Sequence, residues 1–146
     1  MLLNFELDPR DSSTCRLTYE EAAHWLRATW CGYVDPLEAM RGAEVYLQHA
    51  AQTPSPYLLN DNSQLRGPWF DSLDWLAEVW VPQAASLGLR YIAHVLQADR
   101  HSDILPRRLP ATIPFELQIF DNLVDAQHWL QECQEYEEKD SEGATP

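Results

Sequence analysis

Asp61, Asn62, Ser63, Arg66 and Trp69 crowd one short stretch of the chain and bring together an acid, an amide, a hydroxyl, a guanidinium and an indole. The planar fork of Arg66 suits a carboxylate or a phosphate. Trp69 can serve as an apolar anchor. Gly67-Pro68 between them restricts the backbone and can hold both side chains in one pose at little entropic cost. A second polar group, Asp99, Arg100, His101 and Asp103, follows the next apolar run. The two groups are expected to meet at the carboxyl ends of neighbouring strands, where open α/β sheets bind ligands, and to form a polar pocket for a small anionic ligand or a partner protein. The plainer reading is loop chemistry, since Asn and Asp favour turns.

Ser63 and Ser72 are candidate phosphorylation sites. A phosphate near a helix N-terminus is favoured by the free N–H groups and the helix dipole, whereas Asp61 and Asp71 oppose it. Capping or simple exposure is the plainer reading of both serines. His101 beside Asp99 and Asp103 resembles part of a metal site, but such sites need three or four converging ligands. His24, His49, His94 and His128 are dispersed, and His94 lies mid-strand as a core or edge histidine. No nucleophile elbow, phosphate-cradling loop or carboxylate pair is present. The expectation is therefore a non-enzyme with no catalytic residue, no metal and no cofactor.

These residues must be positioned by a recognisable set of elements. Tyr57–Asn60 is a short apolar strand, and the loop Asp61–Trp69 follows it. An amphipathic helix then runs from about Pro68 to Leu87, with Trp69, Leu73 and Trp80 inward and Trp75 partly exposed. Pro82 should kink it and Gly88 should end it. Asp35-Pro36-Leu37-Glu38 is a helix start with a capping acid, proline in the first turn and Glu at the third position. That helix should reach about Gln52, with Leu37, Met40, Glu44 or Ala43, Leu47 and Ala51 inward. Cys15–Tyr19 and Trp25–Cys31 alternate as a β-hairpin, although Glu20–Trp30 also suits a helix. Leu89–Leu96 and Phe115–Phe120 are further strands. Asp99–Pro106 is irregular or a short helix, and Asp121 caps a last helix. The order is β-β-β-α-β-α-β-(α)-β-α, a mixed sheet with the long helices against one face.

Composition narrows the function classes. With 146 residues and 45% hydrophobic content, the chain can bury a core. The formal charge of −13, from 10 basic and 23 acidic residues, disfavours nucleic acid and anionic membrane surfaces. Cys15, Cys31 and Cys133 show no zinc or disulfide spacing and are read as reduced thiols. No signal peptide or membrane-spanning run is evident, so a cytoplasmic location is expected. Residues 1–136 should form one domain, and the acidic segment 137–146 a flexible tail.

A set of residues resembles a family. Leu58-Leu59-Asn60-Asp61-Asn62, Gly67-Pro68-Trp69, Trp75, Trp80-Val81-Pro82, Gly88-Leu89 and Phe120-Asp121-Asn122-Leu123, with Ala126 and Trp129-Leu130, are similar to the STAS-like domains of small bacterial proteins. The anti-sigma-factor antagonists typify that fold. The resemblance covers about Cys15 to Cys133. In the classical regulators the strand-to-helix loop carries an Asp-x-Ser pattern and then an Asp-Ser pair that includes the phosphorylated serine. Asp61-Asn62-Ser63 matches the first, and Asp71-Ser72 matches the second only with two residues inserted. The resemblance implies an α/β (α+β) mixed sheet and a regulatory, protein-interaction module in bacterial signalling. A carrier of a small anionic or lipid-like ligand on the same fold is the alternative. A homodimer is compatible with either.

Overall fold

The computed structural model describes residues 1–97 and 113–143 of the chain. Six strands form one sheet in sequential order: β1 (Leu2–Leu7), β2 (Thr14–Glu20), β3 (Trp25–Tyr33), β4 (Tyr57–Arg66), β5 (Tyr91–Val95) and β6 (Glu116–Phe120). The first three pair antiparallel, and β3 to β6 pair parallel. Residues 20–30 are thus a hairpin and not a helix, with Glu20 opposite Trp25 and Cys15 opposite Trp30.

Helix α1 (Pro36–Gln52) starts as its sequence dictates: the Asp35 carboxylate accepts the backbone N–H of Glu38 at 2.8 Å. Its inward face matches the expected one only in part: Ala43 and Leu47 pack against the core, but the most buried positions are others. Leu37 is 67% exposed, whereas Ala39, Gly42, Tyr46 and Ala50 are buried. Small residues face the sheet because Trp30 rises from β3 into the space that a larger residue would fill.

The second helical stretch, residues 69–86, changes its winding along its length. A 3₁₀ turn (Trp69–Ser72) leads into an α turn (Leu73–Trp75), a π turn (Leu76–Trp80) and an α segment (Val81–Ser86). Pro82 has no N–H to give to the preceding turn. The π turn just before it, in which Val81 donates to the Leu76 carbonyl, widens the helix to accommodate the ring. Gly88 closes the stretch at φ +100°, with Gly88 N–H on the Ala85 carbonyl and Leu89 N–H on that of Ala84. Trp69, Leu73 and Trp80 are buried and Trp75 is half-buried, as their spacing predicts.

The helices cover both faces of the sheet, which corrects the one-face expectation. Strand parity decides the sides. Leu26, Ala28, Leu58 and Ile92 pack under α1 and the second helix, together with Tyr46, Trp80 and Ala84. Trp25, Leu59, Tyr91, Ala93 and Val95 face the other way, against Ala126, Leu130 and Cys133 of the last helix (Leu123–Gly143). Asn122, not Asp121, caps that helix: its amide oxygen accepts Asp125 N–H at 2.8 Å. The helix continues through Gly143, beyond the boundary expected at residue 136. Among the described residues, no helix is long and apolar enough to cross a membrane.

Candidate functional site

Strand β4 runs on through Asp61-Asn62-Ser63 to Arg66, where a loop was expected. Pairing with β3 holds it there: Thr29 is opposite Asp61 and Cys31 opposite Gln64, so β4 carries one extra residue. Such a bulge re-aims the side chains that follow. Asn62 and Leu65, three positions apart, consequently both line the space under α1.

That space is a cavity of ≈130 Å³ between the sheet and its helices. Ala28, Ala39, Gly42 and Ala43 leave the room, and Trp30, Tyr46, Trp69, Trp80 and Phe115 wall it. The lining is apolar except at one end, where Asn60, Asn62 and His94 stand on adjacent strands. Asn60 and His94 are direct partners in the β4–β5 register.

The hydrogen bonds at this end can be oriented from one donor. The Trp30 indole N–H can only donate, and it lies 3.1 Å from Asn60 Oδ1. Asn60 Nδ2 therefore donates, to Asn62 Oδ1 and to His94 Nδ1, each at 3.1 Å. His94 accepts at Nδ1 and so carries its proton on Nε2. Burial pushes the ring down to about 4, and the negative charge of Asp61 only partly opposes this. His94 is thus a neutral imidazole. Its ring also lies 5.7 Å from that of Trp69.

The residues singled out from sequence separate in space. Asn62 and Trp69 reach the cavity. Asp61 points to the opposite face of the sheet, buried, where Arg27 meets it at 2.9 Å and Glu20 at 3.3 Å. Ser63 is half-buried beside it, its N–H on Asp61 Oδ1. Arg66 is exposed at the strand end. Trp69 is buried, with its indole N–H given to Gln97. Gln97 in turn donates to the Gly67 carbonyl, which ties the helix start to the end of β5. Ser72 is buried, and its hydroxyl donates to the Trp69 carbonyl. Arg100 and His101, like Asp99 and Asp103, lie outside the described residues.

Sequence reading missed Asn60, His94 and Trp30. The available signal was a polar residue at the same point of two apolar runs, Leu58-Leu59-Asn60 and Ile92-Ala93-His94. It becomes informative only once the two strands are paired in register.

A second polar cluster lies at the mouth of the β1–β2 hairpin. Asp8, Asp11 and Glu38 each bring one oxygen within 4.8 Å of the others. Arg10 already supplies positive charge there, as a fork on Asp8 and at 3.5 Å from Glu38. The Ser13 hydroxyl donates to the other oxygen of the buried Glu38.

Comparison with protein-family models and with curated proteins gave no match.

Proposed function

We propose that this chain is a STAS-like domain that works as a binding module for a small, largely apolar molecule held between the sheet and α1. The observation that carries the reading is the ≈130 Å³ cavity with aromatic walls and a buried amide–imidazole cluster at one end. Cavities of roughly 150 Å³ lined by apolar side chains admit a benzene ring. Native cores are packed near crystal density, and voids larger than a water are few. A void of this size, with polar groups gathered at one end, fits the general form of a ligand pocket. The order of elements and the mixed sheet support the STAS-like placement, and the last helix on the far face departs from it.

Docking of another protein through 61–69 has less behind it. Of that stretch, Gln64 and Arg66 alone are exposed. Ser72 is buried with its hydroxyl engaged, which does not favour it as a phosphorylation switch.

A thermal-shift series tests the reading. Toluene at millimolar concentration should raise the melting temperature of the parent protein, because a ligand bound only by the folded state stabilises it. The Ala43→Leu variant fills the cavity and should lose the shift while remaining folded. Equal shifts in parent and variant, or none in the parent, would remove this function.

A further inference from the structure

The polar end of the cavity has a definite hydrogen-bonding sense, and this follows from the orientation set by Trp30. Asn60 is fully used: its oxygen accepts from the indole and its amide nitrogen donates twice. Asn62 presents its oxygen to Asn60 and keeps both N–H groups of Nδ2. His94 presents Nδ1 to Asn60 and keeps Nε2–H. Among the described residues, neither of these nitrogens has a hydrogen-bond partner. Both side chains are more than nine-tenths buried, at 2% and 5% exposure, and both line the cavity.

Among the described residues the sealed side-chain polar atoms without a hydrogen-bond partner are Trp25 Nε1 and Glu38 Oε1, so the Asn62 and His94 nitrogens are open to the cavity and can take a partner there. Here the two belong to groups held by the same amide nitrogen. They open into a space whose remaining walls are apolar. The lining thus offers donors from Asn62 and His94, and among the described residues it contains no lysine or arginine. A charged carboxylate would meet no counter-charge from these residues, at a desolvation cost that two neutral donors do not offset.

Resting on the reading of the cavity as a ligand site, we propose that the ligand is a neutral carbonyl compound with a compact ring or branched apolar body, its oxygen accepting from Asn62 Nδ2 and His94 Nε2. The body lies among Trp30, Tyr46, Trp69 and Trp80. Size, polarity and direction are then each set by a different part of the lining: the small residues of α1, the aromatic walls, and the Asn60-centred cluster.

Three probes of matched shape separate this proposal from its foundation. Acetophenone has the carbonyl, α-methylstyrene replaces C=O by C=CH₂, and benzoate places a charge at the same point. Their affinities for the full chain would be measured by calorimetry or tryptophan quenching. In a site without donors the hydrocarbon binds more tightly, because it leaves water more readily. The expectation here is the reverse: acetophenone about tenfold tighter than α-methylstyrene, as befits two net hydrogen bonds, and benzoate weakest. Asn62→Leu and His94→Leu should each reduce or invert the preference. If both uncharged probes bind and the hydrocarbon binds equally or better, the carbonyl assignment fails and the ligand site stands. Benzoate binding tightest overturns the neutral head group. If no probe binds, the ligand site itself fails. The parent comparison needs no variant to fold, so loss of either leucine variant to misfolding leaves the result decisive.

Discussion

His94 holds a neutral ring in the folded protein down to about pH 4, whereas the same side chain in an unfolded chain takes its proton near 6.5. Between these values the unfolded chain binds more protons, so this residue's contribution to stability is lost as pH falls. The slope reaches at most about 1.4 kcal/mol per pH unit. Glu38 works the other way. Burial raises its carboxyl to about 7 from an ordinary 4.5, against the Ser13 hydrogen bond. Arg10 at 3.5 Å also favours the charged form, but its guanidinium is committed first to Asp8. The folded protein therefore holds a proton on Glu38 that the unfolded chain lacks between pH 4.5 and 7, and this contribution grows as pH falls. The two effects oppose each other in the parent protein, and single variants should separate them. Relative to the parent, Glu38→Gln should lose stability in urea melts between pH 7 and pH 5, and His94→Gln should gain it. Parallel curves for parent and both variants would show that neither group is shifted.

At the scale of the element, α1 shows how a correct start can carry a partly incorrect face. Asp35, Pro36 and Glu38 fix where the helix begins through local hydrogen bonds that need no neighbour. Which side is buried depends on what lies beneath. Trp30 meets the helix at Gly42, where an added Cβ would come within 2.2 Å of the ring. Alanine is worth up to about 1 kcal/mol over glycine in a helix interior. In Gly42→Ala the clash should win, because the indole cannot move without losing its bond to Asn60. A net destabilisation of roughly 1–3 kcal/mol is expected in denaturant melts, together with weaker acetophenone binding. A more stable variant with unchanged binding would mean that α1 stands farther from the sheet than described. The second helix makes the same point about winding. Pro82 announces a disturbance, but only the packing of Trp69, Leu73 and Trp80 on one side makes it a π turn and not a break.

For the whole molecule, the sheet divides the core between its two faces, and the last helix is the sole described helix on its second face. That helix is tied down late in the chain. Glu137 accepts the Tyr91 hydroxyl at 2.5 Å and lies 3.3 Å from Arg90, on the strand it crosses. The folded body should therefore end between Glu137 and Lys139. Truncation after Glu138 is expected to leave the melting temperature almost unchanged. Glu137→Ala in the full chain should lower it by roughly 2–4 °C, for a hydrogen bond worth about 1 kcal/mol in a domain of this size. A large drop from the truncation alone would show that the acidic end docks elsewhere on the fold.

The order of elements, the cap of α1, the Gly88 stop and the parity of Leu26, Ala28 and Trp30 were all legible in the chain, because each depends on residues a few positions apart. Asn62 and Trp69 were singled out as site residues from their surroundings in sequence, and both do reach the cavity. Their companions Asn60 and His94 were not found, since 34 positions separate them and only the β4–β5 register makes them partners. Asp61 sits beside Asn62 in sequence, yet a strand turns adjacent side chains to opposite faces. One therefore pairs with Arg27 and the other opens into the cavity. The continuation of β4 through a polar run was likewise decided by pairing, because Asp, Asn and Ser favour turns until a neighbouring strand takes up their backbone groups. The cavity itself belongs to no local pattern. It is the volume left when α1 turns its small residues toward Trp30, and such a difference between facing surfaces exists only after they have met.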